Sequence, residues 1–151
     1  MIDGIDRSIL RHLKEDGRMT ATALASKVGL TVAPCHRRLR DLETTGAIRG
    51  YRADIDPAAV GLGFEAIVFV TLRQVDRGTM AAFEARVTAN PNIVEAQRLF
   101  GSPDYLLKVI AADLPAYQRF YDDELAALPA VERLTSTLVM KNLKTNIGPP
   151  V

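Results

Sequence analysis

Leu30-Thr31-Val32-Ala33-Pro34-Cys35-His36-Arg37-Arg38-Leu39-Arg40-Asp41-Leu42-Glu43 is the stretch that decides the fold. Its apolar residues Cys35, Leu39 and Leu42 fall at i, i+4 and i+7, one stripe of a helix. Thr31 is placed to cap that helix, Pro34 sits in its first turn and Gly46 ends it. Just upstream, Ala25 is followed four residues later by Gly29 and then Leu30-Thr31. A small residue lets two helices approach and glycine permits a left-handed turn, which is the spacing of a helix-turn-helix. With the stripe buried, Thr31, Ala33, Pro34, His36, Arg37, Arg38 and Arg40 are left available, three arginines among them and no acid. Such a helix can enter the major groove, its first residues at base edges and its arginines on guanine or phosphate. A solvated, charged helix face is the other reading of the same residues.

Working outward, two further helices precede this one. Ile5, Ile9, Leu10 and Leu13 keep helical spacing behind Asp3 and Asp6, with Gly17 as a stop. Thr20 can cap a helix that turns Leu24, Ala25 and Val28 inward. Residues 1–50 hold nine Lys/Arg against six acids, a net of +3, whereas residues 51–151 hold ten against twelve, a net of −2. A basic head on a mildly acidic body predicts two jobs, one of them facing an anion. After Gly50 the period changes. Tyr51, Ala53 and Ile55 form an alternating run, and with Pro57, Gly61 and Gly63 they look like a linker across 51–63.

Beyond the linker a pattern occurs twice. A β-rich run (64–74), a helix (79–89, Phe83 and Val87 inward) and a second β-rich run (93–100) are followed by strand (104–111), helix (114–128, with Tyr117, Phe120, Tyr121 and Leu125) and strand (131–140). Pro91-Asn92-Ile93 and Pro129-Ala130-Val131 are matching junctions. Two βαβ units back to back are the ferredoxin-like pattern, so the expected class is α+β. The domains are then a three-helix head (1–50), the hinge and linker (51–63) and a C-terminal βαββαβ domain (64–151). Both helices on one face of a four-stranded sheet leave the other face open, and its residues are too apolar for water. A second copy of the chain is the natural cover, which predicts a dimer through the sheets.

The composition removes other classes. At 151 residues, 48% hydrophobic and 25% charged, the chain can bury a core and is not globally disordered. One cysteine and two histidines allow neither an internal disulfide nor a four-ligand Cys/His zinc site. Asp3 and Asp6 stand where a signal peptide needs basic and then apolar residues, and no apolar run reaches the roughly 18 residues of a membrane span. The expectation is a soluble, cytoplasmic protein. Cys35 and His36 diverge by about 100° on a helix and make no catalytic dyad. His12 is an ordinary residue of the first helix. Gly61-Leu62-Gly63 is too short for a phosphate loop, and Asp122-Asp123-Glu124 is a solvated helix face or a divalent-cation site. No catalytic residue, metal site or cofactor is expected.

The decisive stretch, followed by Gly46-Ala47-Ile48-Arg49-Gly50-Tyr51, resembles the DNA-binding region of the Lrp/AsnC, or feast/famine, family of transcriptional regulators. Gly101-Ser102-Pro103-Asp104-Tyr105-Leu106-Leu107-Lys108-Val109, the Leu128-Pro129-Ala130-Val131 junction and Thr135-Ser136-Thr137-Leu138-Val139-Met140-Lys141 are similar to its amino-acid-sensing domain. The resemblance implies a sequence-specific regulator on a partly palindromic duplex, built as a homodimer that associates further, for example to an octamer, and responsive to an amino acid or related metabolite. It also implies a hinge strand around Tyr51 to Ile55 and an effector site at a subunit contact, from Gly101, Ser102, Pro103 and Asp104 with a facing strand at Thr137, Leu138 and Met140. Exposed backbone N–H groups there suit an α-carboxylate, although Pro103 lacks one. Asp104 either meets an ammonium or serves as a turn residue at a strand entry, and Thr135 and Thr137 are either site residues or simple strand formers. Two rivals share this fold: enzymes that decarboxylate tetrapyrroles such as siroheme with histidine and arginine, and sensors that act on protein partners. The chain has no histidine after residue 36.

Overall fold

A computed structural model of the chain describes residues 1–145 and 148–151. They form two compact units, one of Met1–Asp54 with Lys144–Val151 and the other of Ile55–Leu143.

In the first unit, α1 (Gly4–Glu15) starts at a reciprocal capping box. The Asp6 N–H donates to the Asp3 carboxylate at 2.8 Å, and the Asp3 N–H to that of Asp6 at 3.1 Å. In α2 (Ala21–Lys27) the Thr20 hydroxyl accepts from the Ala23 N–H at 3.2 Å. Its end is a Schellman turn: the Val28 and Leu30 N–H groups donate to Leu24 and Ala25, while Gly29 takes φ +71°. The third helix, α3 (Val32–Thr44), then packs Cys35 and Leu42 against Ile9, Leu24 and Ala25, all five buried, with Leu39 at the margin. Lys14 Nζ donates to the Pro149 carbonyl at 3.0 Å and Arg11 Nε to that of Val151 at 3.2 Å, so the last residues lie against α1.

The anticipated hinge strand is absent: residues 51–56 have no regular structure. Alternation alone makes no strand, and none of the described strands pairs with this segment. Tyr51 instead donates its hydroxyl to Glu43 at 2.9 Å. The linker holds a short 3-10 turn, Pro57–Val60, capped by Asp56 and closed by Gly61 at φ +78°.

The second unit runs β1 (Phe64–Leu72), α4 (Arg77–Ala89), β2 (Ile93–Arg98), β3 (Tyr105–Ala111), α5 (Leu114–Phe120) and β4 (Val131–Leu138). Its antiparallel sheet has the order β2-β3-β1-β4, the ferredoxin-like arrangement. Alternate residues of β1 and β3, among them Val68, Val70, Leu107 and Val109, meet Phe83, Val87, Tyr117 and Leu125 in one core. The expected 114–128 helix is shorter. After Phe120 it widens into a π turn, Tyr121–Leu125, closed by the Ala126 N–H on the Tyr121 carbonyl at 2.9 Å. On the opposite face Ile67, Phe69, Leu106 and Ile110 stay partly exposed. Between them Lys108 bridges Glu65 at 3.2 Å and Glu95 at 3.6 Å.

Candidate DNA interface and effector surface

At about 100° per residue, Ala33, His36, Arg37 and Arg40 share one face of α3, turned away from Cys35, Leu39 and Leu42. All four are exposed. Among the described residues neither Arg37 nor Arg40 has an ion-pair partner, and both guanidiniums are open to an external anion. Thr31 is exposed and occupies the N-cap position, yet its hydroxyl makes no capping bond. That oxygen and the first N–H groups of the helix are free to meet a phosphate. Pro34 is half-buried in the first turn.

Arg38 stands apart from this face. Its Nη1 lies 2.6 Å from Asp3 Oδ2 and 2.8 Å from Asp6 Oδ1, the two carboxylates that also cap α1. The Asp6 backbone N–H and the Arg38 guanidinium together hold the Asp3 carboxyl below its usual range. The sequence carried a signal for this placement: three residues after Cys35 and four before Leu42, Arg38 flanks the buried stripe instead of opposing it.

In the second unit the Gly101–Asp104 loop joins β2 to β3, with Gly101 at φ +133° and a cis Ser102–Pro103 bond. Gly101 and Ser102 are exposed. Asp104 is built into the sheet: Oδ2 accepts from the Leu72 N–H at 2.8 Å, its N–H donates to Val70 and its carbonyl accepts from Leu99. The turn-residue reading therefore describes its bonds in this chain. A cavity of about 230 Å³ beside the loop is lined by Val75, Met80, Arg98, Leu99, Phe100, Gly101, Asp104 and Tyr105. Val75, Met80, Arg98 and Phe100 were not anticipated; an exposed aromatic directly before Gly101 was the available signal. Tyr105 donates to Glu84 at 2.8 Å, and burial with that bond pushes its phenol up to about 12.

Thr137 and Leu138 lie elsewhere. Leu138 pairs with Ala66 and Thr137 with Ile67, near the start of β1, whereas Asp104 bonds Leu72 at its end. Six residues of strand, roughly 20 Å, separate the two halves of the expected effector site within one chain. Leu138 and Met140 are exposed, Met140 completely.

Cys35 is fully buried and burial pushes its thiol up, so it is a core residue. His12 is half-buried, and Asp122, Asp123 and Glu124 are exposed. Among the described residues no cluster of three His, Cys, Asp or Glu is arranged to hold a metal ion, and no helix is long and apolar enough to cross a membrane.

Both units have known counterparts. Residues 2–43 match the AsnC-type helix-turn-helix domain and residues 65–149 the Lrp/AsnC ligand binding domain. The chain is 38% identical over 143 residues to the leucine-responsive regulatory protein of Rhizobium meliloti, covering 95% of this chain and 92% of the relative. It is 35% identical over 150 residues to the Bkd operon transcriptional regulator of Pseudomonas aeruginosa, covering 99% and 98%. Among solved structures it superposes on a Neisseria meningitidis transcriptional regulator in complex with L-Met, with a TM-score of 0.91, 34% identity and coverage of 96% and 94%. An AsnC family regulator from Agrobacterium tumefaciens gives a TM-score of 0.89 at 34% identity, covering 95% and 93%.

Proposed function

Because the chain belongs to the Lrp/AsnC family of transcriptional regulators, we propose that Thr31, Ala33, Pro34, His36, Arg37 and Arg40 form its contact with duplex DNA. The carrying observation is the exposed face of α3, where, among the described residues, Arg37 and Arg40 have no ion-pair partner and the Thr31 hydroxyl makes no capping bond. The head acts in pairs. A homodimer formed through the half-apolar sheet face presents two such helices to a partly palindromic site, its half-sites about 34–36 Å or a multiple apart. Higher assemblies such as an octamer extend the same arrangement.

The second unit serves as the sensor, for an amino acid or a related metabolite. The Neisseria relative was solved with L-Met, and the cavity beside Gly101–Asp104 offers both apolar side chains, Val75, Met80, Leu99 and Phe100, and the charged groups of Arg98 and Asp104. Thr137, Leu138 and Met140 of a second copy complete the site, since the two halves stand a strand's length apart on one chain. Occupancy then changes assembly or head geometry, and DNA affinity with it.

The test is fluorescence anisotropy on duplex DNA from upstream of the protein's own gene against a scrambled duplex, over a salt series and with an amino-acid pool. Selective binding with a steep salt slope is expected. Arg37→Ala and Arg40→Ala should each weaken it by about 1–3 kcal/mol if the side chain reads a base. Equal, weak binding to both duplexes would favour a sensor that acts on protein partners.

A further inference from the structure

We propose that Arg38 is a positioning residue: clamped by Asp3 and Asp6, it locks the DNA-contacting helix to the first helix and makes no contact with DNA itself. This rests on the DNA reading of α3. Arg38 lies about 100° round the helix from Arg37 and about 160° from Arg40. When those two face a duplex, Arg38 faces α1.

There it meets two carboxylates through one nitrogen, at 2.6 and 2.8 Å. The Asp6 side chain is only 13% exposed and that of Arg38 30%, so this pair is not made of loose surface charges, while Asp3, at 48%, closes the clamp from the solvent side. Partial burial and two charge-assisted bonds favour a fixed guanidinium. The carboxylates are fixed in turn, because each accepts the other residue's backbone N–H in the capping box. A rotation of α3 about its own axis would break both ion pairs and loosen the first turn of α1. Apart from the bonds that Ile48 and Tyr51 make to Leu42 and Glu43 at its C-terminal end, the contacts of α3 with the other head helices are apolar and non-directional, supplied by Cys35, Leu39 and Leu42. They resist separation of the helices better than they resist a twist, so the clamp fixes the angle at which Arg37 and Arg40 are presented.

Arg38→Met and the double variant Asp3→Asn/Asp6→Asn should each lower affinity for the selected duplex, by about tenfold, as expected for a coupled ion-pair network. Asparagine keeps the caps, so the double variant tests the clamp even where Arg38→Met fails to fold. The slope of log affinity against log salt should stay that of the wild type in both, because no phosphate contact is lost. A triple variant should be no weaker than Arg38→Met alone. If Arg38 met a phosphate, Arg38→Met would flatten the slope by about 0.9, and releasing it with Asp3→Asn/Asp6→Asn would tighten binding. Either result overturns the proposal. A wild-type protein that binds no duplex selectively removes the DNA reading and this inference with it, and is distinguished by failing before any substitution is made.

Discussion

Asp104 offers the sharpest test of how the proposed sensing surface is built. Its carboxylate accepts the N–H of Leu72, a residue 3% exposed, at 2.8 Å, and so ties the β2–β3 loop to the end of β1. Asp104→Ala removes the acceptor and leaves that N–H without a partner. A hydrogen bond to a charged group is worth about 1.5–3 kcal/mol, and an orphaned donor costs about the same. The substitution leaves the backbone bonds to Val70 and Leu99 in place, so the expected loss is about 2 kcal/mol. At a urea sensitivity of about 2 kcal/mol per molar, the unfolding midpoint of the second unit should fall by about 1 M. Asp104→Asn retains a carbonyl oxygen and should cost less than about 1 kcal/mol. Equilibrium urea unfolding followed by circular dichroism measures both. An Asp104→Ala protein as stable as the wild type, yet deaf to the effector, would refute the structural role and return the carboxylate to a ligand ammonium.

Three other outcomes follow from the same contacts. Burial, helped by the bonds to Glu43 and Glu84, pushes Tyr51 and Tyr105 up to about 12. The folded protein therefore holds these protons more tightly than the unfolded chain, and their contribution to stability is complete below about pH 10 and lost as pH rises from about 10 to 12. Burial raises the Tyr117 phenol as well, so ultraviolet titration should show three late-ionising phenols, one of them missing in Tyr105→Phe; simultaneous titration of all tyrosines near 10 would contradict this. Gly29→Ala meets no atom within 4 Å but must adopt φ +71°, so a loss of about 1–2 kcal/mol in head stability is expected from the backbone alone; an unchanged melting curve would show that the turn can relax. Phe69→Asp puts a charge among Ile67, Leu106 and Ile110 on the open sheet face and should turn dimers into monomers in sedimentation velocity. A dimer that survives would move the subunit contact elsewhere.

Much of this architecture was legible because local rules and tertiary demands agree. Gly29, Thr20 and the capping pair Asp3 and Asp6 mark helix ends through their own backbone chemistry, and alternate burial along β1 and β3 repeats the period of a strand. The misreadings arise where a feature depends on a partner distant in sequence. Tyr51, Ala53 and Ile55 alternate as a strand should, but pairing is a property of two segments. Thr31 stands at an N-cap position without making the bond, which composition alone does not reveal. Arg38 has the same residue type as Arg37 and Arg40, and only the packing of α3 on α1 sends it to Asp3 and Asp6. The π turn at Tyr121–Leu125 lies within a run whose apolar spacing looks continuous.

The distance between Asp104 and Leu138 along β1 has a consequence for dosage. A small molecule that must touch both surfaces must touch two chains, so its occupancy depends on how many chains there are as well as on how much metabolite is present. By linkage, the ligand strengthens assembly by the same factor by which assembly strengthens ligand binding. The metabolite level at which such a sensor responds would then fall as its own expression rises, and gene dosage would set the threshold with no change in any residue that touches the ligand.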